Sequence, residues 1–319
     1  TTQLGSLSYV QVKGFGAEAI AALSAEQLAA LSPTQISGLT ATAISGLDSA
    51  EIAALSSTQL SGLTAIQFRG LADTQLAAIS TTQIGALSPT QLRGLSTTGI
   101  ASLSLDQIDA LSSTQVAGFV ATQVAGFTAS QISSLSLEQF EALTSTAISG
   151  LTPTQISSFT IFQVADLTAT QIKGLSTTAI GSLSPEQIGV LSVIQMGGML
   201  PTQLAGLTAT QASLLSPEQL GVLSATQIGG FTATAISGLE LEDIVNLTTT
   251  QMAGLGSTQV GGFTATQIAA FSTTQLASLS TTQAQGVMAA QVAAFSAEQL
   301  AALAPTQLSA ISATAPDTL

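Results

Sequence analysis

Apolar residues recur along this chain in a pattern of eight positions that runs from Leu7 to Thr318 without insertion or deletion. The pattern is clear in residues 31–38, where Leu31 and Ile36 hold the first and sixth positions. Across the 39 octads that fill residues 7–318, the first position is always a large apolar residue. A repeat this short and regular is typical of a solenoid, in which each unit contacts mainly its neighbours.

The spacing of the apolar positions predicts one helical turn per octad. The sixth position and the next first position are three residues apart, which places them on one face of a helix. The first and sixth positions are five residues apart, and no continuous helix keeps that spacing on one side. We therefore expect each octad to form a very short helix that is interrupted before the next one begins.

The second position carries a helix-start signal. It is Ser or Thr in 30 of the 39 octads, and Gln usually follows three residues later, as in a capping box. Thirteen of the 17 acidic residues lie at positions two to five, whereas all four basic residues lie at position seven, as the helix dipole favours. Seven of the eight prolines occupy position three, the first helical residue: Pro33, Pro89, Pro153, Pro185, Pro201, Pro217 and Pro305.

These signals predict an all-α solenoid of very short capped helices, one per octad, continuous over residues 1–319. Gly is frequent at position eight, where a chain leaving a helix often needs a positive φ. The alternative is a β-solenoid, because Thr recurs at alternate positions such as Thr40 and Thr42. Proline cannot donate to a strand ladder, and strands would not separate acidic from basic residues by position.

Position five is Gln in most octads, whereas Glu occurs there once, at Glu51. A site that keeps the amide and excludes the charge is expected to be buried. We predict ladders of Gln side chains that bond to backbone or to Gln in adjacent coils; the alternative is a capping role alone. The number of octads per coil, two, three or four, stays open. The predicted ladder includes Gln27, Gln35, Gln59, Gln67, Gln75, Gln83 and Gln91.

Composition excludes several classes of function. The chain has no His and no Cys, so the usual nucleophile–base pairs and zinc sites are absent, and we expect no enzyme, no metal and no cofactor. A net charge of −13 with four scattered basic residues argues against nucleic acid as a partner. Polar residues interrupt every apolar run, so membrane insertion is not expected. Glu240, Glu242 and Asp243 form the one acidic cluster, which we interpret as helix N-terminal acids rather than a cation site.

Apolar residues at the outward third and fourth positions are candidates for lateral contacts between copies. A coil of two octads would place Ile66, Phe162 and Ile194 on one side, and drift of a lightly constrained surface is the alternative interpretation. The candidate self-association residues are Tyr9, Ile66, Ile161, Phe162, Val193 and Ile194, with Val10 beside the first of them.

The motif Leu-Thr/Ser-x-x-Gln-Ile/Val-x-x-Leu, which covers Leu7 to Leu319, resembles the octapeptide arrays of large secreted or cell-surface bacterial proteins. The resemblance implies an extracellular, adhesive or fibre-forming role and carries no catalytic residues. We expect a structural protein at the cell surface, a solenoid rod that builds a filament with further copies of itself. The alternative is an adhesin stalk or a module whose Thr/Ser face binds carbohydrate, mineral or ice, with cell-surface components as partners.

Overall fold

The computed structural model describes the backbone of residues 2–314 and the side chains of residues 2–311. Over these residues the chain is helical between short turns and contains no β-strand, so the β-solenoid alternative is wrong. Contacts between Cα atoms group the chain into two compact units, Thr1–Phe159 and Thr160–Leu319, which are described separately below. The continuous array predicted over residues 1–319 stays a prediction.

Each unit consists of helices of four to six residues, one per octad, apart from a longer final helix of 10 residues. The helices of the first unit are α1 Thr2–Gly5, α2 Tyr9–Val12, α3 Ala17–Ala21, α4 Ala25–Ala29, α5 Pro33–Gly38, α6 Ala41–Ile44, α7 Ser49–Ala54, α8 Ser57–Ser61, α9 Ala65–Arg69, α10 Asp73–Ala77, α11 Thr81–Gly85, α12 Pro89–Leu92, α13 Thr97–Ala101, α14 Leu105–Asp109, α15 Ser113–Val116, α16 Ala121–Val124, α17 Ala129–Ser134, α18 Leu137–Glu141, α19 Ser145–Ile148 and α20 Pro153–Ser157.

The helices of the second unit are α21 Ile161–Asp166, α22 Ala169–Gly174, α23 Thr177–Gly181, α24 Pro185–Gly189, α25 Val193–Gly198, α26 Pro201–Leu204, α27 Ala209–Ala212, α28 Pro217–Gly221, α29 Ala225–Ile228, α30 Ala233–Gly238, α31 Leu241–Asn246, α32 Thr249–Met252, α33 Ser257–Gly262, α34 Ala265–Ala269, α35 Thr273–Ala277, α36 Thr281–Ala284, α37 Ala289–Val292, α38 Ala297–Ala302 and α39 Pro305–Thr314. No helix among the described residues is long and apolar enough to cross a membrane.

Each coil contains three octads. In the first unit α2 packs on α5 and α5 on α8, and in the second unit α22 packs on α25 and α25 on α28. Each helix therefore stacks on the helix three octads away, and every coil has three sides. Isolated helices of four to six residues are unstable in water, so this stacking supplies the contacts that hold them. The two-octad coil considered from the sequence is wrong.

The apolar first and sixth positions form the core of each unit. Ile36, Leu39 and Ile44, for example, are between 0% and 4% exposed. Phenylalanines at these positions meet edge to face, as Phe119 and Phe127 do at 5.3 Å between ring centroids. From α2 to α38 the position-two residue precedes the helix in extended conformation and position three is the first helical residue, which explains why proline is tolerated there, as at Pro33.

Candidate functional site

A glutamine clamp joins successive coils, and its first half is the predicted capping box. Ser32 begins α5, and its backbone N–H donates to Gln35 Oε1 at 2.8 Å. In return the Gln35 N–H donates to Ser32 Oγ at 3.3 Å. Two backbone donors that the first helical turn leaves without partners are thereby satisfied.

The second half of the clamp uses the other end of the same amide. Gln35 Nε2 donates to the carbonyl oxygens of Leu4 at 2.8 Å and Leu7 at 2.7 Å, which lie 31 and 28 residues earlier. These carbonyls belong to the sixth and first positions in the coil before. The bond to the first-position carbonyl recurs at Gln59, Gln67, Gln75, Gln83 and Gln91, where it measures 2.6 to 3.0 Å.

The backbone carbonyl of the first position explains why position five carries an amide side chain. Leu39 lies between two helices, and its N–H donates to Ile36 O while its own carbonyl accepts from Gln67 Nε2. Leu39 is 4% exposed, so without this donor its carbonyl would be buried and unpaired. A carboxylate at position five could accept the capping bond but could not donate to the carbonyls beneath it.

Not every predicted ladder residue lies in the clamp. Gln27 is half-buried and Gln11 is exposed, and both make the capping bonds alone. Neither has a coil of this chain on its N-terminal side. Gln35 and the other predicted glutamines after it are buried at 2% to 7% exposure, and at each the partners are backbone carbonyls rather than neighbouring glutamines.

Glycine at position eight serves close packing and not a left-handed turn. No described residue, glycine included, has a positive φ, so the expected positive-φ cap is wrong. A Cβ on Gly254 would instead lie 1.9 Å from Ala225 O in the coil before. Gly94 and Gly150 face the third-position residue of the coil before them in the same way. The missing side chain lets the backbones of successive coils approach.

The apolar candidates for self-association are all exposed, but they do not form one surface. Tyr9 and Val10 lie in α2 and Ile66 in α9, all in the first unit. The other candidates lie in the second unit, Ile161 and Phe162 in α21, and Val193 and Ile194 in α25. Because α21 packs on α24 and α25 packs on α22 and α28, Phe162 and Ile194 lie on different sides of the coil. The shared side expected from a two-octad coil is wrong for this pair.

The acidic octad contains one buried carboxyl. Asp243 occupies the glutamine position of α31, is 2% exposed, and accepts from the Glu240 N–H at 3.0 Å. Burial raises the pKa of Asp243 to about 6; the Glu240 backbone hydrogen bond opposes the rise and the charges of Glu240 and Glu242 add to it. No group of three acidic side chains in residues 2–311 is placed to hold a metal ion.

Two surface features of the second unit were missed from the sequence because they depend on the coil size. Helices α23, α26, α29, α32 and α35 stack in successive coils, and the fourth position of each octad is an exposed threonine. The other feature is apolar, because exposed Val222, Leu241 and Val245 lie near Val193 and Ile194 in the stack of α25, α28 and α31. The threonines of the ladder are Thr178, Thr202, Thr226, Thr250 and Thr274.

Comparison with known proteins gives a limited match. Residues 89–121 and 236–273 match the model of the ALTTAQ repeat, one segment in each unit. No curated protein matches the chain. The two segments cover less than a quarter of the sequence, and they indicate a repeat protein.

Proposed function

We propose that this chain is an extracellular structural protein whose copies associate into a surface fibre. The observation that carries the proposal is the direction of the glutamine clamp. Each clamp donates from one coil to the coil before it, as Gln91 does to Leu60 and Leu63. A coil face with nothing packed on its N-terminal side therefore presents amide donors, and the opposite face presents carbonyl acceptors.

Such faces are complementary between copies, and a head-to-tail contact that does not close produces a filament. Lateral contacts through Ile66, Ile161 or Phe162 would bundle such filaments. The octapeptide resemblance supports the cell surface as the location.

Electron microscopy of the purified 319-residue chain across a concentration series tests this proposal. We expect filaments whose length increases with protein concentration, with one subunit orientation throughout. Gln3→Glu, Gln11→Glu and Gln27→Glu together should remove the three amide donors, while the carboxylates can still accept the capping bonds from Ser8 and Ser24, so the filaments should shorten. Discrete particles at every concentration would overturn the proposal and leave the chain as a spacer or stalk.

The threonine ladder favours one alternative, a module that binds an extended polar surface. Thr178, Thr202 and Thr226 are exposed and occupy one register position in successive coils, so their hydroxyl groups repeat at the coil spacing. Carbohydrate, mineral or ice presents such repeating hydrogen-bonding groups. Pull-down on insoluble polysaccharide and mineral, with a thermal-hysteresis measurement, tests this role. Binding that is lost in Thr202→Val with Thr226→Val but kept in Thr42→Val with Thr90→Val would favour it over the fibre, because Ile66 separates these two exposed threonines in the stack of α6, α9 and α12.

A further inference from the structure

One side of the second unit combines exposed aliphatic residues with carboxylates. It is formed by α25, α28 and α31, which stack on one another in successive coils. Elsewhere the outward positions are mostly Thr, Ala, Ser and Gly. This aliphatic–acidic face carries Glu218 and Glu242 and, at 41% to 74% exposure, Val193, Ile194, Val222, Leu241 and Val245.

The aliphatic residues are concentrated in a way that repeat drift does not explain. In the whole sequence Val or Leu occupies position eight in three octads, at Val190, Leu214 and Val222, all within one short stretch. Val190 and Leu214 lie three octads apart, after α24 and after α27, which stack on one another, whereas Val222 follows α28. Isolated apolar residues on a surface are ordinary, but clusters mark interaction sites.

The carboxylates decide which partner the face fits. Glu218 and Glu242 lie three octads apart, hold the same position in successive coils, and are both exposed, with Glu240 beside them. A hydrogen bond from the Ser216 side chain lowers the pKa of Glu218, which keeps that carboxylate charged. No basic residue lies on α25, α28 or α31, and Lys173 on α22 is the nearest in the stack.

We propose that the aliphatic–acidic face binds a cationic amphipathic helix of another protein. A second copy of this face would bring like charges together, and the chain has four basic residues to offer against 17 acidic ones. An anionic membrane is repelled for the same reason. Lys and Arg on the rim of a partner helix would pair with the three carboxylates while its apolar stripe covers the aliphatic residues.

The coil spacing suits such a helix. Stacked helices lie about 8–10 Å apart, and apolar residues seven positions apart in an α-helix are separated by about 10 Å along its axis. A helix lying along the stack would place one apolar residue over each of the three coils. The proposal goes beyond the fibre function and does not depend on it, because the face lies on the side of a coil and not at its end.

The test uses the full chain and a fluorescent Leu/Lys amphipathic peptide of about 18 residues, with a Leu/Glu peptide as the control ligand. Ile194→Thr, Leu241→Ala and Val245→Ala replace the aliphatic residues with those common at their octad positions, so the fold should be kept. The matched control is Ile66→Thr, Leu105→Ala and Leu137→Ala, which removes exposed aliphatic residues from the first unit. Circular dichroism melting checks that both variants are folded.

We expect the Leu/Lys peptide to bind and the Leu/Glu peptide not to bind. The Ile194, Leu241 and Val245 variant should bind about tenfold more weakly, whereas the control variant should be unchanged. Glu218→Gln with Glu242→Gln should also weaken binding and reduce its salt dependence. Equal binding by both variants would overturn the proposal, as would self-association in ultracentrifugation that only the Ile194, Leu241 and Val245 variant loses.

Discussion

Gln11 and Gln91 occupy the same octad position and make the same capping bonds, yet one is exposed and the other is 5% exposed. Gln11 Oε1 accepts from the N–H and hydroxyl of Ser8 at 2.8 and 2.9 Å. Gln91 Oε1 accepts from the N–H and hydroxyl of Ser88 at 2.9 and 3.0 Å. They differ at Nε2, because only Gln91 has a coil beneath it.

The comparison shows that capping and stacking are separate uses of one amide. Capping fixes where each helix begins, and it works in the first coil as well as in later ones. Stacking buries the side chain and satisfies carbonyls that the helices leave unpaired. The two ends of the amide therefore connect the start of one helix to the coil before it, which neither Glu nor Ala can do.

The largest loss of stability should come from replacing a clamp glutamine by a charged glutamate. Gln91→Glu keeps the capping acceptor but places a carboxylate against the carbonyls of Leu60 and Leu63. We expect a loss of about 3 kcal/mol of unfolding free energy at neutral pH, measured by urea denaturation. Gln11→Glu should lower the unfolding free energy little, because Gln11 makes no bond to an earlier coil. Equal losses in the two variants would contradict a stacking role for Gln91 that Gln11 lacks.

A methyl group at the coil contact should have the next largest effect. Gly254→Ala would place its Cβ 1.9 Å from Ala225 O, so the two coils must separate. We expect it to cost about 2 kcal/mol in urea denaturation. Gly221→Ala is the matched control, because a Cβ there meets nothing within 4 Å and should stabilise the helix slightly. A similar loss of unfolding free energy in Gly254→Ala and Gly221→Ala would mean that close approach of the coils is not the reason for glycine at position 254.

The buried carboxyl of Asp243 gives a prediction for how stability depends on pH. The pKa of Asp243 is about 6 in the folded chain against an ordinary value of 3.8, so the folded state favours the protonated form. Stability should therefore fall as pH rises from 3.8 through 6, by about 1–3 kcal/mol. The pKa values of Glu26, Glu186 and Glu218 are lowered by hydrogen bonds to their carboxylates, so these glutamates do not contribute to a fall in stability at higher pH.

Asp243→Gln should abolish the change in stability between mildly acidic and neutral pH and stabilise the chain at neutral pH. Thermal unfolding at the two pH values measures this. If the parent chain and the variant show the same pH dependence, the titrating group lies elsewhere.

The fold class could be predicted because the octad itself contains the necessary signals. Ser32 and Pro33 mark a helix start by local chemistry alone, and the helix begins there. The coil size could not be predicted, because every octad carries similar residues whichever octad lies beneath it. Thr202 and Thr226 do not mark a three-octad spacing in the sequence, because Thr also fills the fourth position of an octad between them, at Thr210.

The role of glycine was misjudged for a related reason. At Gly254 the local sequence favours a left-handed helix end, whereas the constraint comes from Ala225 in the coil before. The near absence of Glu from position five did predict burial of the amide. A carboxylate can accept the capping bond as an amide does, but it has no N–H to donate. The acceptors, however, are backbone carbonyls, which no sequence pattern marks.

The most direct test of the account is the urea unfolding of Gln91→Met beside Gln11→Met. Methionine matches the length of glutamine, and both substitutions remove the same capping bonds to Ser88 and Ser8. Only Gln91→Met also removes the bonds to the carbonyls of Leu60 and Leu63. We predict that Gln91→Met loses about 2 kcal/mol more than Gln11→Met. Equal losses would contradict the clamp and leave capping as the sole function of the repeated glutamine.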